Sequence, residues 1–368
     1  MNEKVEKYHV IAIYCVAKLL DLEIRENYRN KLETLALENK LMGHLIIAPE
    51  GLNGTIAGKY DNNTLEVINK IKNLGSHFPL NDFEIKYSIS NSRPFNRMRV
   101  LLRKALLPLG QSIDVDLKGK YVDNVKEWDQ LILDKDVVKI DVRNNYEISV
   151  GSFENAINPK MNSFKDFTKF IQNEFKNKIV NKDTRIAMYC TGGIRCEIAS
   201  AYMAGQGYKN CQMLKGGILK YLENVDININ DANTGTKDII VKVEENENHN
   251  EINPEVVNNT NDNDSDNKKS SQSECTFKGE CYVFDKRVSL GVGLQQGTFK
   301  ICFRCRAPLS AKDQSDSKYI DGICCGHCID SSDYKNLHAT AERNKQIQLA
   351  EERGDKRHLR RDFFDNTD

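Results

Sequence analysis

Nowhere in this 368-residue chain do apolar residues run on for the roughly 18 positions that a membrane-crossing helix needs, so no membrane partner is expected. Net charge is missing too. Lys plus Arg and Asp plus Glu stand at 53 each, so no global field advertises a membrane or a nucleic acid, DNA included, and any basic surface must be local. Met1 to Lys7 has no apolar core, and neither a secretory signal nor an Arg-rich transit peptide is visible. The expectation is a soluble intracellular protein, in which eleven cysteines read as metal ligands or reactive thiols rather than disulfides. Histidine is absent from residues 125–226, which argues against a Cys–His hydrolase there.

What that segment does hold is Arg185 to Ser200, RIAMYCTGGIRCEIAS, around which the chain is organised. The apolar run Ile186 to Tyr189 delivers Cys190 to the end of a buried strand. Thr191, Gly192, Gly193, Ile194 and Arg195 then turn into a helix carrying Ile198, Ala199 and Tyr202. Two glycines let the loop curl so that the N–H groups of Thr191 to Ile194 converge, and the helix N-terminus adds partial positive charge. The loop is thus a candidate anion cradle in which Arg195 would steady negative charge on a base or hold a phosphate. Those donors, with Arg195, should lower the Cys190 pKa toward neutrality and produce a thiolate. Cys196, one turn into the helix, reads as a packing residue or as a second, resolving thiol. Val137 to Val142 is a nearly continuous apolar run, as expected for a central parallel strand. Asp141, Arg143 and Glu147 follow it, and in an α/β sheet reactive groups collect beyond the C-terminal strand ends, where Cys190 and Asp141 both fall, with Arg143 beside them in support.

The preceding segment, residues 1–110, reads β-α-β-β-α-β with a strand appended, the order of a ferredoxin-like (split βαβ) domain. Its strands are expected at Tyr8 to Ala17, Gly43 to Pro49, Thr55 to Ala57, Phe83 to Ser88 and Arg97 to Lys104, with a turn at Glu50 to Gly54. Arg93, Arg97, Arg99, Arg103 and Lys104 make a candidate basic strip. A loop from Pro108 to Lys126 leads to the parallel α/β domain, residues 125–226. Residues 227–273, dominated by Asn, Asp, Glu, Lys and Ser, read as a disordered linker.

Residues 274–334 form a cysteine-rich module. Cys302-x2-Cys305 and Cys325-x2-Cys328 have the spacing that brings two thiolate pairs to one tetrahedral ion, and structural zinc is expected. Cys275, Cys281, Cys324 and His327 complicate the ligand count. Residues 335–368 form a basic C-terminal helix and tail, carrying Arg343, Lys345, Arg353, Lys356, Arg357, Arg360 and Arg361.

CTGGIRCE at Cys190 to Glu197, DVRNNYE at Asp141 to Glu147 and LKGGILKYLE at Leu214 to Glu223 resemble the rhodanese homology domain. APEGLNGTIAG at Ala48 to Gly58, PFNRMRV at Pro94 to Val100 and GECYVFDKRVSL at Gly279 to Leu290 narrow the resemblance to the tRNA uridine-34 hydroxylase family. That resemblance implies a cytoplasmic enzyme acting on the tRNA anticodon loop. It implies oxygen-dependent conversion of the wobble uridine to 5-hydroxyuridine, with dioxygen as co-substrate, an unidentified electron donor and Cys190 as the active-site residue. A Cys190 thiolate adding to uracil C6 would make C5 electron-rich enough to meet an activated oxygen species. Two other readings stand beside it. The Cys-x4-Arg loop from Cys190 to Arg195 has the size associated with rhodanese-type sulfurtransferases, in which Cys190 would carry a persulfide; phosphatase loops resemble Cys-x5-Arg. The second is a non-catalytic RNA-binding zinc protein. Tyr14, Phe95 and Tyr189 are aromatic candidates to receive a base.

Overall fold

A computed structural model describes residues 6–74, 83–110, 113–178, 181–225, 275–330 and 334–352. The expected linker, 227–273, and the basic residues Arg353 to Arg361 lie outside the described residues.

The first domain is built on strands β1 (Tyr8–Val16), β2 (Met42–Ala48), β3 (Gly51–Lys59), β4 (Glu84–Ser90) and β5 (Met98–Leu102), in the sheet order β4-β1-β3-β2-β5. All pairings are antiparallel except β2 with the appended β5. Helices α1 (Leu22–Glu38) and α2 (Asn62–Leu74) cover one face. The Asp21 side chain starts α1 by accepting from the Glu23 and Ile24 N–H groups. Strand alternation sends Ile11, Ile13 and Cys15 into the core under the helices with Leu32, Ile68 and Ile71, each buried aliphatic contributing about 1.5–3 kcal/mol. Tyr14 points to the other face, which carries no helix of its own domain among the described residues. One local expectation needs correction. Glu50 to Gly54 is not a turn before a short strand: the hairpin turns at Pro49 and Glu50, and Gly51 and Gly54 already pair in β3. Those glycines answer close approach, since a Cβ on either would strike the backbone oxygen of Cys15 or of His44.

The second domain is a parallel sheet in the order β6-β10-β9-β7, made of β6 (Lys120–Val122), β7 (Val138–Asp141), β9 (Ile186–Tyr189) and β10 (Cys211–Leu214). Strand β6 falls inside the stretch read as a connecting loop. Helix α3 (Val125–Leu133) follows it, and α4 (Asn145–Ile148) and the short β8 (Gly151–Phe153) follow β7. Residues 166–178 form α5 (Asp166–Phe170), a π-helical turn (Ile171–Phe175) and α6 (Lys176–Lys178). The last two helices are α7 (Ile194–Gly205) and α8 (Gly217–Asn224). Both faces are covered, as the unbroken apolar strands require. Ile186 and Met188 enter a core with Phe167, Ile198 and Tyr202, while Ala187 and Tyr189 enter the opposite one with Trp128, Ile218 and Leu222.

Phe277–Leu290 departs from the module it was assigned to. Strand β11 (Phe277–Gly279) pairs antiparallel with β8, and Phe277, Cys281, Val283 and Leu290 fill the second core. Strands β12 (Cys281–Tyr282) and β13 (Ser289–Leu290) make a hairpin whose buried Arg287 donates to Ser88 Oγ at 2.8 Å and to the Ile89 carbonyl at 3.3 Å. Asp285 fixes that guanidinium through two bonds of 2.9 and 2.7 Å. The segment therefore clasps both preceding domains. A small hairpin of β14 (Lys300–Ile301) and β15 (Pro308–Leu309) opens the cysteine cluster, and Tyr334–Glu352 is helical. No described helix is long and apolar enough to cross a membrane.

Candidate active site

Strand β9 hands the chain to Cys190, whose side chain is fully buried. Gly193 sits at φ +105°, a region that disfavours side-chain-bearing residues, and its N–H returns to the Cys190 sulfur at 3.1 Å. Burial pushes the Cys190 thiol up. The Cys196 thiol hydrogen bond, the Arg195 charge and the N–H groups of Cys196 and Gly193 outweigh it, and the pKa falls to about 6. Burial and the bond to Cys190 push Cys196 the other way, so this thiol keeps its proton and donates it. The convergent donors of the loop centre on the sulfur itself.

The loop carbonyls are held from behind. Ile218 N–H donates to the Cys190 carbonyl at 2.9 Å and Leu219 N–H to that of Thr191 at 3.1 Å, so the start of α8 serves the reactive loop. Gly217, at φ +66°, admits this contact: a Cβ there would lie 2.5 Å from the Cys190 oxygen and 2.7 Å from the Thr191 oxygen.

Arg195 does not lie open in the loop. It forms a two-pronged pair with Glu147 at 2.6 and 2.7 Å, and it donates to Thr191 Oγ1 at 3.0 Å; the Thr191 hydroxyl in turn donates to Glu147 at 3.0 Å. Burial raises the Glu147 pKa, but the Arg195 charge outweighs it and keeps the carboxylate ionised. Glu147 also accepts the Asn144 N–H at 3.1 Å, closing the first turn of α4. Sequence reasoning missed Glu147 as a site residue; the Asn144-x-x-Glu147 spacing signals the helix start but not the second role.

Asp141 and Arg143 form another buried pair, at 2.8 and 2.6 Å. Arg143 also donates to the Gly151 carbonyl, and Ser152 donates to Asp141 at 2.9 Å. The pair ties β7 to β8 and so fixes the Asn144–Val150 turn that presents Glu147. Gly192 has open space around it, and Ile194 is buried against Tyr14, Ala48 and Leu106.

That last contact defines the roof. The helix-free face of the first domain's sheet lies over the loop, and a Cβ on Gly193 would lie 2.7 Å from the Tyr14 hydroxyl. Of the three aromatic candidates only Tyr14 borders the loop. Tyr189 is packed edge-on to Trp128 and Phe153, and Phe95 packs with Tyr8 and Val10. The basic strip divides. Arg93 donates to the Phe95 and Asn96 carbonyls of its own turn, Arg99 pairs in register with His44, and Arg103 and Lys104 are exposed.

The sulfurs of Cys302, Cys305, Cys325 and Cys328 lie within 4.8 Å of one another, with three pairs at 3.6 to 3.8 Å. Tetrahedral thiolates at about 2.3 Å from zinc stand about 3.8 Å apart, so these four residues fit such an ion. The remaining candidates do not join them: Cys275 and Cys281 donate to nearby backbone carbonyls, Cys324 lies outside the convergent set, and His327 bonds Asp313 at 3.1 Å.

Residues 8–106 match a family described as a UPF0176 acylphosphatase like domain, and residues 124–224 match the rhodanese-like domain. The chain is similar to a tRNA uridine(34) hydroxylase of Prochlorococcus marinus (strain MIT 9515), 35% identical over 347 residues, 94% of this chain and 96% of the relative. Among solved structures, a rhodanese-related protein from Thermoplasma volcanium is 24% identical, with a TM-score of 0.22, over 29% of this chain and 91% of its own. An acylphosphatase from Coxiella burnetii is 16% identical, with a TM-score of 0.20, over 27% and 100%.

Proposed function

The chain belongs to the tRNA uridine(34) hydroxylase family, and from that premise we propose that it hydroxylates C5 of the wobble uridine in the tRNA anticodon loop, with Cys190 as the nucleophile. The observation that carries this reading is the fully buried Cys190 thiol brought down to about 6, which makes it a thiolate at neutral pH. The sulfur bonds to C6 of the uracil, and the π electrons of the C5–C6 bond move toward C5 and O4. The electron-rich C5 then takes one oxygen atom of dioxygen. The other atom leaves as water with two electrons and two protons from an external reductant. Loss of the C5 proton and expulsion of the thiolate restore the ring. Arg195, Thr191 and Glu147 act as positioning residues: they hold the loop so that its N–H groups stay on the sulfur, with Asp141 and Arg143 bracing the turn that carries Glu147. A base must leave the anticodon stack to reach the site.

Cys302, Cys305, Cys325 and Cys328 would hold structural zinc, which crosslinks the C-terminal module and takes no part in the reaction. A cytoplasmic location accompanies the tRNA substrate. The test is nucleoside mass spectrometry of tRNA from cells lacking the protein, complemented with wild type or Cys190→Ala. Restoration of 5-hydroxyuridine by wild type alone supports the reading. Unchanged hydroxyuridine beside a loss of thiolated nucleoside replaces it with a sulfurtransferase that carries a persulfide on Cys190.

A further inference from the structure

Lys86 sits where a lysine is costly. It lies on β4, the edge strand of the first sheet, in register with Ala12 and on the same face as Tyr14. Only 5% of it is exposed, and it makes no hydrogen bond or ion pair among the described residues. Its Nζ stands 5.0 Å from the centre of the Tyr14 ring. The charged groups that face it are Glu84 on its own strand, Lys220 and Glu223 on α8, and Cys190 in the reactive loop. Burial pushes its pKa down to about 8, which leaves it mostly an ammonium at neutral pH. The Tyr14 hydroxyl is also buried, 4% exposed, and has no hydrogen-bond partner, although it lies against Gly193. A buried phenol hydroxyl without a partner, with an ammonium held over its ring at the roof of one thiolate, is costly unless a ligand completes it.

We infer that Lys86 and Tyr14 are catalytic residues supplied by the ferredoxin-like domain: they bind the carbonyl oxygen O4 of the uracil beside Cys190 and hold the negative charge created there by thiolate addition. The inference rests on the hydroxylase reading and deepens it. In the step concerned, the Cys190 sulfur forms a bond to C6, the C5–C6 π pair becomes the C4–C5 bond of an enolate, and the carbonyl π pair goes to O4. No oxidant enters. Uracil is neutral before the step and anionic after it, so an ammonium and a phenol hydroxyl at O4 favour the adduct far more than the bound substrate. Access follows the same geometry. Cys190 is fully buried, so a base reaches it only as the side chains around it give way, and the flexible four-carbon stem of Lys86 allows its ammonium to follow O4.

The test uses the full-length protein and unmodified tRNA, with Lys86→Met, Lys86→Arg and Tyr14→Phe. Steady-state 5-hydroxyuridine formation and the pH profile of Cys190 alkylation by iodoacetamide are both measured. Removing the ammonium should lower kcat by about 100-fold with KM for tRNA changed less than about threefold, and removing the hydroxyl by about 10-fold. Lys86→Arg should recover part of the loss, and Lys86→Met should move the alkylation midpoint up. The Lys86→Met protein should melt at or above the wild-type temperature, because a buried charge is gone. Hydroxylation by wild type together with an unchanged kcat in Lys86→Met, or a loss confined to KM, overturns this inference alone. Wild-type protein that makes no 5-hydroxyuridine overturns the hydroxylase reading and the inference with it.

Discussion

Replacing Cys196 by alanine tests the account of the reactive thiol most directly. The Cys196 S–H is the first among the groups that lower the Cys190 pKa, and alanine removes it while leaving the loop backbone and Arg195 in place. A hydrogen bond to a charged group contributes about 1.5–3 kcal/mol, and a thiol, as a weak donor, belongs at the lower end. At about 1.4 kcal/mol per unit, the Cys190 pKa should rise by about one unit. Starting from about 6, the thiolate fraction at pH 7 should then drop from about nine-tenths to about one-half. Iodoacetamide alkylation followed by mass spectrometry across pH 5 to 9 reads the midpoint. Cys196→Ser keeps a donor and should stay near wild type. A Cys196→Ala profile that superimposes on wild type, or that moves to lower pH, refutes the assignment. The same depressed pKa affects folding. A cysteine titrates near about 8.5 when unfolded, so the stabilisation is complete above that pH and is lost as pH falls through about 6. Wild type should therefore gain on the order of 3 kcal/mol relative to Cys190→Ala between those limits.

Glu147→Gln leaves the buried Arg195 without its counter-charge and should cost about 3–5 kcal/mol in urea unfolding; a loss below about 1 kcal/mol contradicts the pairing described. Gly217→Ala forces a Cβ against the Cys190 and Thr191 carbonyls at a left-handed backbone position, and should destabilise by about 1–3 kcal/mol and slow Cys190 alkylation. Elemental analysis should find one zinc per chain, absent from Cys325→Ser, with the alkylation midpoint of Cys190 unchanged in that variant.

Local chemistry was legible wherever one short stretch carries it. The Cys190 loop, the two Cys-x2-Cys pairs and the β-α-β-β-α-β order all rest on spacing, and spacing survives folding. Groups defined by a distant partner were not legible. Glu147 reads as a helix cap, and its ion pair lies 48 residues away. Lys86 carries no mark in the sequence that sets it apart from the rest of β4, and its burial shows only in the folded structure. Asp141 was placed correctly at a strand end, yet its carboxylate serves Arg143. The hairpin near Pro49 was misread because its glycines, usually turn residues, here admit a neighbouring strand.

The clasp made by Arg287 bears on the order in which the protein can come into being. Its bond to Ser88 spans 199 residues, a length of chain that takes on the order of 10–40 s to synthesise. Throughout that interval the nascent first domain presents the bare edge of β4, a surface open to non-native pairing and to chaperones. Until the Phe277–Leu290 segment has left the ribosome, β8 lacks its partner strand and Lys86 lacks the clasp on its own strand. A polypeptide released early, or cut before this segment, would carry the reactive cysteine without the complete housing around it.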